Sequence, residues 1–440
     1  MSALNEISGL VNILNGYYEN EVGISLQLMS NNINIVYGGT DPFNPSSNNL
    51  PVEAQNGISG AVPDADYDVG HVFHYTGGGG GSGIASIGVV CQNGAKAAGW
   101  SSYGSGLGLP GLLDIALHEI AHQFGANHTF YGTQSNCNVN NRNPTTAYEP
   151  GSGSTIMAYP GICGVHNIVE GSGDFYFHTH SLDEITNFIT SPFIGSSCAI
   201  ATSSGNTPPS ADAGASYIIP VATPFELIGS GTDADGDNLT YCWEQYNTNA
   251  TSSTANTAPA DAADFAGAPL FRSFIPTTEP SRVFPKLTDI LFNQSTIGEV
   301  LSDVPQTATF RLTVRDNSAL DGNGLAGGFA YDETTVQFVG NANTNPNDAF
   351  FITSPNSAVT WTAGSSATIT WNVGNSDVSP VSCANVDIFL SDDGGITFNN
   401  TIATGVPNNG SHTFTIPNFT GSSAARIKIK CSDNIFFDIN

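Results

Sequence analysis

Eleven consecutive residues constrain this chain more than any others: His118-Glu119-Ile120-Ala121-His122-Gln123-Phe124-Gly125-Ala126-Asn127-His128, the pattern H-E-x-x-H-x-x-G-x-x-H. On a helix, positions i and i+4 stack on one face, so His118 and His122 aim two imidazoles at one point. Glu119 lies beside them, where its carboxylate can act on a water at that point without being a ligand. A third imidazole can arrive only if the helix stops and the chain turns. Gly125 tolerates the positive φ of such a turn, and His128 follows three residues later. Three histidines with one open position describe a catalytic zinc site rather than a closed structural one.

The segment LPGLLDIALHEIAHQFG reads as the helix carrying this motif, with Pro110 suited to its start and Gly125 to a left-handed exit. Upstream, LNEISGLVNILNGYYENE places Leu4, Ile7, Val11, Leu14 and Tyr18 three or four apart, a second helical stripe. ISLQLM, NINIVY and the region around HVFHY alternate apolar with polar residues and predict strands. GIASIGVVC predicts another strand ahead of the motif helix. SLDEITNFI predicts a closing helix, with Ser181 as N-cap and Glu184 three residues on. Residues 1–200 therefore read as one α/β or α+β domain. Beyond them helical periodicity nearly vanishes. A Ser/Pro-rich linker at 201–206 and an Asn-rich one at 341–347 set off two segments, 207–340 and 348–440, each with the length and turn spacing of an all-β sandwich. The pattern is clearest in AVTWTAG, ATITWNVG, NVDIFLS, HTFTIPN and ARIKIKC, and no short-period repeat is evident.

A second signal follows 29 residues after His128: Gly153-Ser154-Thr155-Ile156-Met157-Ala158-Tyr159 sets one of only three methionines in a Gly/Ser-rich segment. With the histidine motif, this resembles the metzincin metallopeptidases, and within them the reprolysin/adamalysin-like branch of secreted bacterial proteases with trailing β-sandwich domains. The resemblance covers essentially all of 1–200. It implies a multidomain chain: an α/β metzincin catalytic domain, with a mixed twisted sheet and a zinc-binding active-site helix, followed by two immunoglobulin-like sandwiches. It makes His118, His122 and His128 zinc ligands, Glu119 the general base, and Met157 the structural floor of a Met-turn. Tyr159 is either an oxyanion stabiliser, as in the astacin- and serralysin-like branches, or a core tyrosine under the site. The resemblance also implies disulfides Cys91 to Cys198 and Cys137 to Cys163. Two departures stand out: Thr129 follows the third histidine where snake-venom-type members carry an acidic residue, and the domain begins at its first long helix without the usual opening strand.

Composition narrows the partners. With 10 Lys+Arg against 38 Asp+Glu, the net charge of −28 repels nucleic acid and anionic membrane surfaces. No apolar run approaches the ~18 residues of a membrane span. Protein or peptide substrates remain, met by a monomer. Seven cysteines scattered without C-x-x-C spacing suit disulfides, Cys383 and Cys431 supplying the last of them, and Cys242 in LTYCWEQ is the buried leftover. Disulfides point to secretion. MSALNEISGL lacks the marks of a signal peptide, so an export segment is expected to have been removed. Eight of the ten basic residues lie beyond residue 200, whereas 1–200 holds Lys96 and Arg142 against 15 acids, a balance suited to salty surroundings or basic substrates.

The expected activity is hydrolysis of protein peptide bonds by a zinc-activated water with Glu119 as base. The edge strand at 81–91 would receive substrate as an added strand. The alternative is an adhesin or matrix-binding protein with a vestigial metal site, against which the presence of Glu119 speaks. His71, His74, His166, His178 and His180 read as structural. Asp233-Ala-Asp235-Gly-Asp237-Asn238 reads as a solvated turn, with structural Ca2+ as the alternative and Glu244 at an EF-hand's twelfth position; Asn238 replaces the loop's glycine. Ser391-Asp-Asp393-Gly-Gly395-Ile-Thr397-Phe398 reads as an Asp-box hairpin turn.

Overall fold

Leu10, Leu14 and Tyr18 recur at helical spacing, and they are the residues by which the first helix, α1 (Ala3–Val22), is buried. The computed structural model describes the chain except residues 1–2, 38, 45–48, 106–107, 139, 193–194, 249–267, 322–325 and 419–420. The motif helix, α3 (Gly108–Gln123), follows α2 (Leu50–Ala61) and packs on α1, the Tyr18 hydroxyl donating to the Leu117 carbonyl at 2.8 Å. At its end Gly125 takes φ +99°, Gly125 N–H returns to His122 O at 2.9 Å and Ala126 N–H to Ala121 O at 3.0 Å. This Schellman closure reverses the chain towards His128.

The sheet beneath α3 is mixed. Strand β1 (Val72–Tyr75) runs parallel to β3 (Gly99–Tyr103), and β2 (Ser82–Ala85) pairs antiparallel on the other side of β3, leaving β2 at the edge. One apolar cluster joins α2 to β1 and β3 through Ala54, Ile58, Val72 and Trp100. Another joins α1, α3 and the closing helix α4 (Thr179–Thr190) through Leu14, Ala116, Ile120, Phe177 and Leu182.

Three expectations fail here for local reasons. ISLQLM forms no strand, because the Asn15 side chain takes the place of a neighbour, accepting from Leu26 N–H at 2.7 Å and donating to Leu26 O at 2.8 Å. NINIVY instead contains a 3₁₀ turn, Asn32–Ile35, in which Asn34 N–H reaches Asn31 O. The closing helix starts two residues before Ser181, with His178 as N-cap: its Nδ1 accepts from His180 N–H at 3.2 Å. Glu184 serves no capping box; it holds Asn127 through the backbone N–H and the side-chain amide, at 2.8 and 2.6 Å. Helix α2, unmarked in the sequence by any long stripe, contains Pro51, Gly57 and Gly60, and Gly57 leaves room for the Phe43 ring.

The remaining chain is β-rich. Strands β4 (Ser210–Asp212), β5 (Tyr217–Pro220), β6 (Phe225–Ile228), β7 (Ser230–Thr232), β8 (Thr240–Gln245), β9 (Ser281–Phe284), β10 (Gln306–Arg315) and β11 (Phe329–Val339) form a four-stranded sheet, β5-β11-β10-β8, and two pairs, β4-β7 and β6-β9. Then β12 (Phe351–Ser354), β13 (Ser366–Asn372), β14 (Asn385–Ser391), β15 (Asn400–Pro407), β16 (Ser411–Thr415), β17 (Arg426–Cys431) and β18 (Phe437–Ile439) form two sheets, β12-β13-β16 and β15-β14-β17-β18. Ile369, Val386, Ile388, Ile427 and Ile429, alternating along β13, β14 and β17, are buried between these two sheets. AVTWTAG stays outside the ladder. One apolar cluster runs through both β segments, and Phe436 joins them by bridging Phe225 and packing at 5.1 Å on Phe350. Ser391 and Asp393 tie the Asp-box turn, Asp393 accepting from Ile396 and Thr397 N–H.

The segregated charges meet across the interface between the first and middle segments. Arg272 binds Glu170 at 2.8 Å and Asp174 at 3.0 Å, Arg311 binds Asp183 at 2.6 Å, and Arg315 binds Glu21 at 3.0 Å. Glu244, buried, accepts from Thr179 N–H and the Ser273 hydroxyl, so it is no EF-hand ligand. Tyr148 stacks on Tyr246 with centroids 4.3 Å apart.

Burial also sets an acid limit. The His71 ring is held between Gln123 Oε1 and Ser101 Oγ, both at 2.8 Å, and burial pushes its pKa down to about 4. Between the unfolded value of ~6.5 and that folded value, the unfolded chain binds more protons, so stability is complete above the window and falls as pH drops through it. His178, pushed by burial down to about 3, acts with the same sign. The contribution of these two histidines to the unfolding free energy, followed by urea titration, should therefore fall between pH 7 and pH 5, by up to about 1.4 kcal/mol per pH unit per group. His71→Asn should flatten that slope; an unchanged slope would clear His71 of the effect.

Candidate metal centre

The three motif histidines meet as their spacing predicts. His122 Nε2 lies 3.0 Å from His128 Nε2, which lies 3.1 Å from His118 Nε2. Each opposite ring nitrogen has a backbone carbonyl in reach: His118 Nδ1 to Ile156 O at 2.7 Å, His122 Nδ1 to Ala126 O at 2.7 Å, and His128 Nδ1 to Asn141 O at 2.5 Å. A carbonyl only accepts, so each ring carries its proton on Nδ1 and turns the Nε2 lone pair inward. Burial, then the neighbouring rings, hold His118 well below its ordinary pKa and His122 at about 3, and burial holds His128 at about 4. Three neutral nitrogens with converging lone pairs repel one another unless a cation lies between them. This is the donor set zinc takes, and the residues present fit it.

Around this point the chain supplies a carboxyl, a wall and a floor. Glu119 is buried, its Oε2 has no hydrogen-bond partner among the described residues, and burial pushes its pKa up to about 8. It abuts Gly83 of edge strand β2: a methyl group there would stand 2.4 Å from Glu119 Oε1, so no side chain fits at that position. The Tyr159 ring packs on His128 at 4.7 Å and His118 at 5.6 Å, and burial pushes its phenol up to about 12. Met157 is wholly buried in the cluster that includes Ala116, Leu117 and Ile120, below the motif helix.

Residues 2–180 match the family model described as metallo-peptidase family M12B, reprolysin-like. This part of the chain belongs to the reprolysin-like metzincins. Residues 354–434 match the model of the Kre9/KNH-like N-terminal Ig-like domain, so the metzincin domain is joined to a C-terminal Ig-like one. No curated protein matches. Among solved structures, the crystal structure of Drosophila N-cadherin EC1-4 is similar at 10% identity, over 51% of this chain and 45% of that one, with a TM-score of 0.15. A score so low carries no argument about the fold.

The other predicted groups lie in several parts of the chain. Cys91 is bonded to Cys198, Cys137 to Cys163 and Cys383 to Cys431, while Cys242 is a buried free thiol. Cys137 and Cys163 pack with Phe130 against Tyr159, behind the histidines. Asp233, Asp235 and Asp237 bring carboxylate oxygens within 4.8 Å of one another, and Asp233 Oδ1 accepts from the N–H groups of Asp235, Gly236 and Asp237. His178 and His180 form no metal cluster among the described residues; His178 caps α4 and His180 Nδ1 lies 3.0 Å from the Tyr246 hydroxyl. The sequence reading missed Glu149, which is buried between the third histidine and the Met-turn. It sits in the aperiodic stretch YEPGSGS, where only its scarcity as an acid could have drawn notice.

Proposed function

We propose that this protein is a secreted zinc-dependent metalloendopeptidase that hydrolyses peptide bonds of proteins. Its catalytic domain would span 1–200, with linkers at 201–206 and 341–347 and two immunoglobulin-like sandwiches at 207–340 and 348–440. The observation that carries this is the convergence of three Nε2 atoms at 3.0 and 3.1 Å, each ring's Nδ1 facing a backbone carbonyl. His118, His122 and His128 would hold the zinc, which when bound supplies Lewis acidity to water and to a carbonyl. Glu119, with an oxygen unpartnered among the described residues, accepts in its carboxylate form the proton of the attacking water and passes it to the leaving amine. A substrate strand lies along the free edge of β2, which brings its backbone past Gly83 and Glu119. Three disulfides and the strongly acidic composition support an extracellular setting. Among the described residues, no helix is long and apolar enough to cross a membrane.

The test is metal analysis of the purified chain together with casein hydrolysis, with and without chelator. One zinc per chain and chelator-sensitive cleavage are expected; a metal-free protein, or cleavage indifferent to chelator, would reject the reading. Tyr159 offers a finer one. Its ring packs on His128 and burial raises its pKa, which keeps the hydroxyl a donor and supports a role in stabilising the developing oxyanion. Tyr159→Phe should lower kcat by about 10²- to 10³-fold with zinc affinity unchanged. Full kcat in that variant would return Tyr159 to a packing role.

A further inference from the structure

The position after the third histidine is Thr129, and its hydroxyl donates at 2.6 Å to Oε1 of Glu149, a side chain from 20 residues further along. The same carboxylate accepts from the Thr155 hydroxyl at 2.5 Å, from Ser154 N–H at 2.8 Å and from Thr155 N–H at 3.2 Å. Glu149 is about 1% exposed, and all four donors belong to segments that touch the histidines. Its backbone joins the same lattice: Glu149 N–H donates to Thr129 O at 2.9 Å, and Tyr131 N–H donates to Glu149 O at 2.8 Å.

Those contacts reach two of the three histidines by different routes. Thr129 adjoins His128, and Thr129 N–H also donates to Met157 O at 3.1 Å. Thr155 adjoins Ile156, whose carbonyl receives His118 Nδ1–H at 2.7 Å. One side chain thus fixes both the segment that delivers His128 and the carbonyl that sets the rotation of His118. His122 stands apart, since its Nδ1 partner, Ala126, lies within the helix exit.

We infer that Glu149 is a positioning residue for the metal centre: its carboxylate holds the His128 segment and the Met-turn in register, and so sets the affinity of the three-histidine site. This rests on the zinc reading above. The charge chemistry is specific. Ser154 and Thr155 present two N–H groups to one oxygen, which only an acceptor can meet, whereas the two hydroxyls at the other oxygen can turn round and accept. Gln can therefore sit at 149 with its oxygen towards the backbone, and Ala cannot replace any of the four bonds.

The experiment is a Zn2+ competition titration of the full chain against a chromophoric chelator, with circular dichroism of the metal-free proteins alongside. Glu149→Ala should bind zinc about 10- to 100-fold more weakly, and Glu149→Gln should lie between it and the parent. Thr129→Val, losing one bond, should also fall between them. A purely structural role would lower the melting temperature and leave zinc affinity within threefold of the parent, and that result overturns the inference. If Glu149→Ala fails to fold, Glu149→Gln and the double variant Thr129→Val/Thr155→Val decide by the same threshold. A parent protein that takes up no zinc overturns the zinc reading itself, a failure plainly separate from a parent that binds zinc and variants that bind it equally well.

Discussion

Glu119→Gln should leave a protein that takes up zinc normally and cleaves with kcat reduced by about 10²- to 10⁴-fold, the usual worth of a positioned proton-transfer group. The substitution is nearly isosteric, which matters because Glu119 fits against Gly83 with no space to spare. A shorter replacement would open a gap beside the edge strand and confuse packing with chemistry. Zinc uptake should survive because the converging ligand atoms are the three histidine nitrogens, and no Glu119 oxygen is grouped with them. What is lost is the proton acceptor: Glu119 Oε2, which has no hydrogen-bond partner among the described residues, gives way to an amide. The check is single-turnover cleavage of a peptide with parallel zinc analysis. Retained cleavage at full zinc content would remove Glu119 from the chemistry and require another base; lost zinc would make it a contributor to the metal site instead.

What the sequence could reveal about this centre follows from how local each feature is. The four-residue spacing of His118 and His122, and Gly125 at the helix exit, are properties of one turn of chain, and the structure places them as expected. The carbonyls of Ile156 and Asn141, which settle two of the three ring orientations, are 38 and 13 residues from their histidines and have no side-chain signature. Glu149 is hidden for a related reason, since a buried carboxylate facing four donors looks in sequence like any acid in a loop. The failed strands at 24–29 and 32–37 show the limit of alternation as a signal: Asn15 satisfied Leu26 before any neighbouring strand could. The charge segregation was visible, but its meaning was not. Acids of the first segment and arginines of the middle one appear as a bias in composition until the fold brings Glu21 to Arg315 across 294 residues.

That last pair carries the largest expected effect on stability. Arg315, at the end of β10, is 2% exposed in its side chain, and its guanidinium meets both oxygens of Glu21 on α1 and the carbonyl of Phe177. Arg315→Met keeps much of the volume and removes the charge, leaving the Glu21 carboxylate buried with its cation gone. Stranding one partner of a buried pair costs about 3–5 kcal/mol, a large share of the ~5–15 kcal/mol that typically holds a folded protein together. Since α1 also supports the motif helix through Tyr18, three residues before Glu21, loosening that end of the helix should be felt at the metal centre. Removing Glu21 as well, in Glu21→Leu/Arg315→Met, takes both charges out of the interior and should recover most of the loss. Urea midpoints of the parent, both single variants and the double variant form the cycle that measures this. A coupling below about 0.5 kcal/mol would mean the two residues act independently. The β-rich segment would then be a passenger of the metzincin domain; a coupling of several kcal/mol would make the two a single cooperative unit.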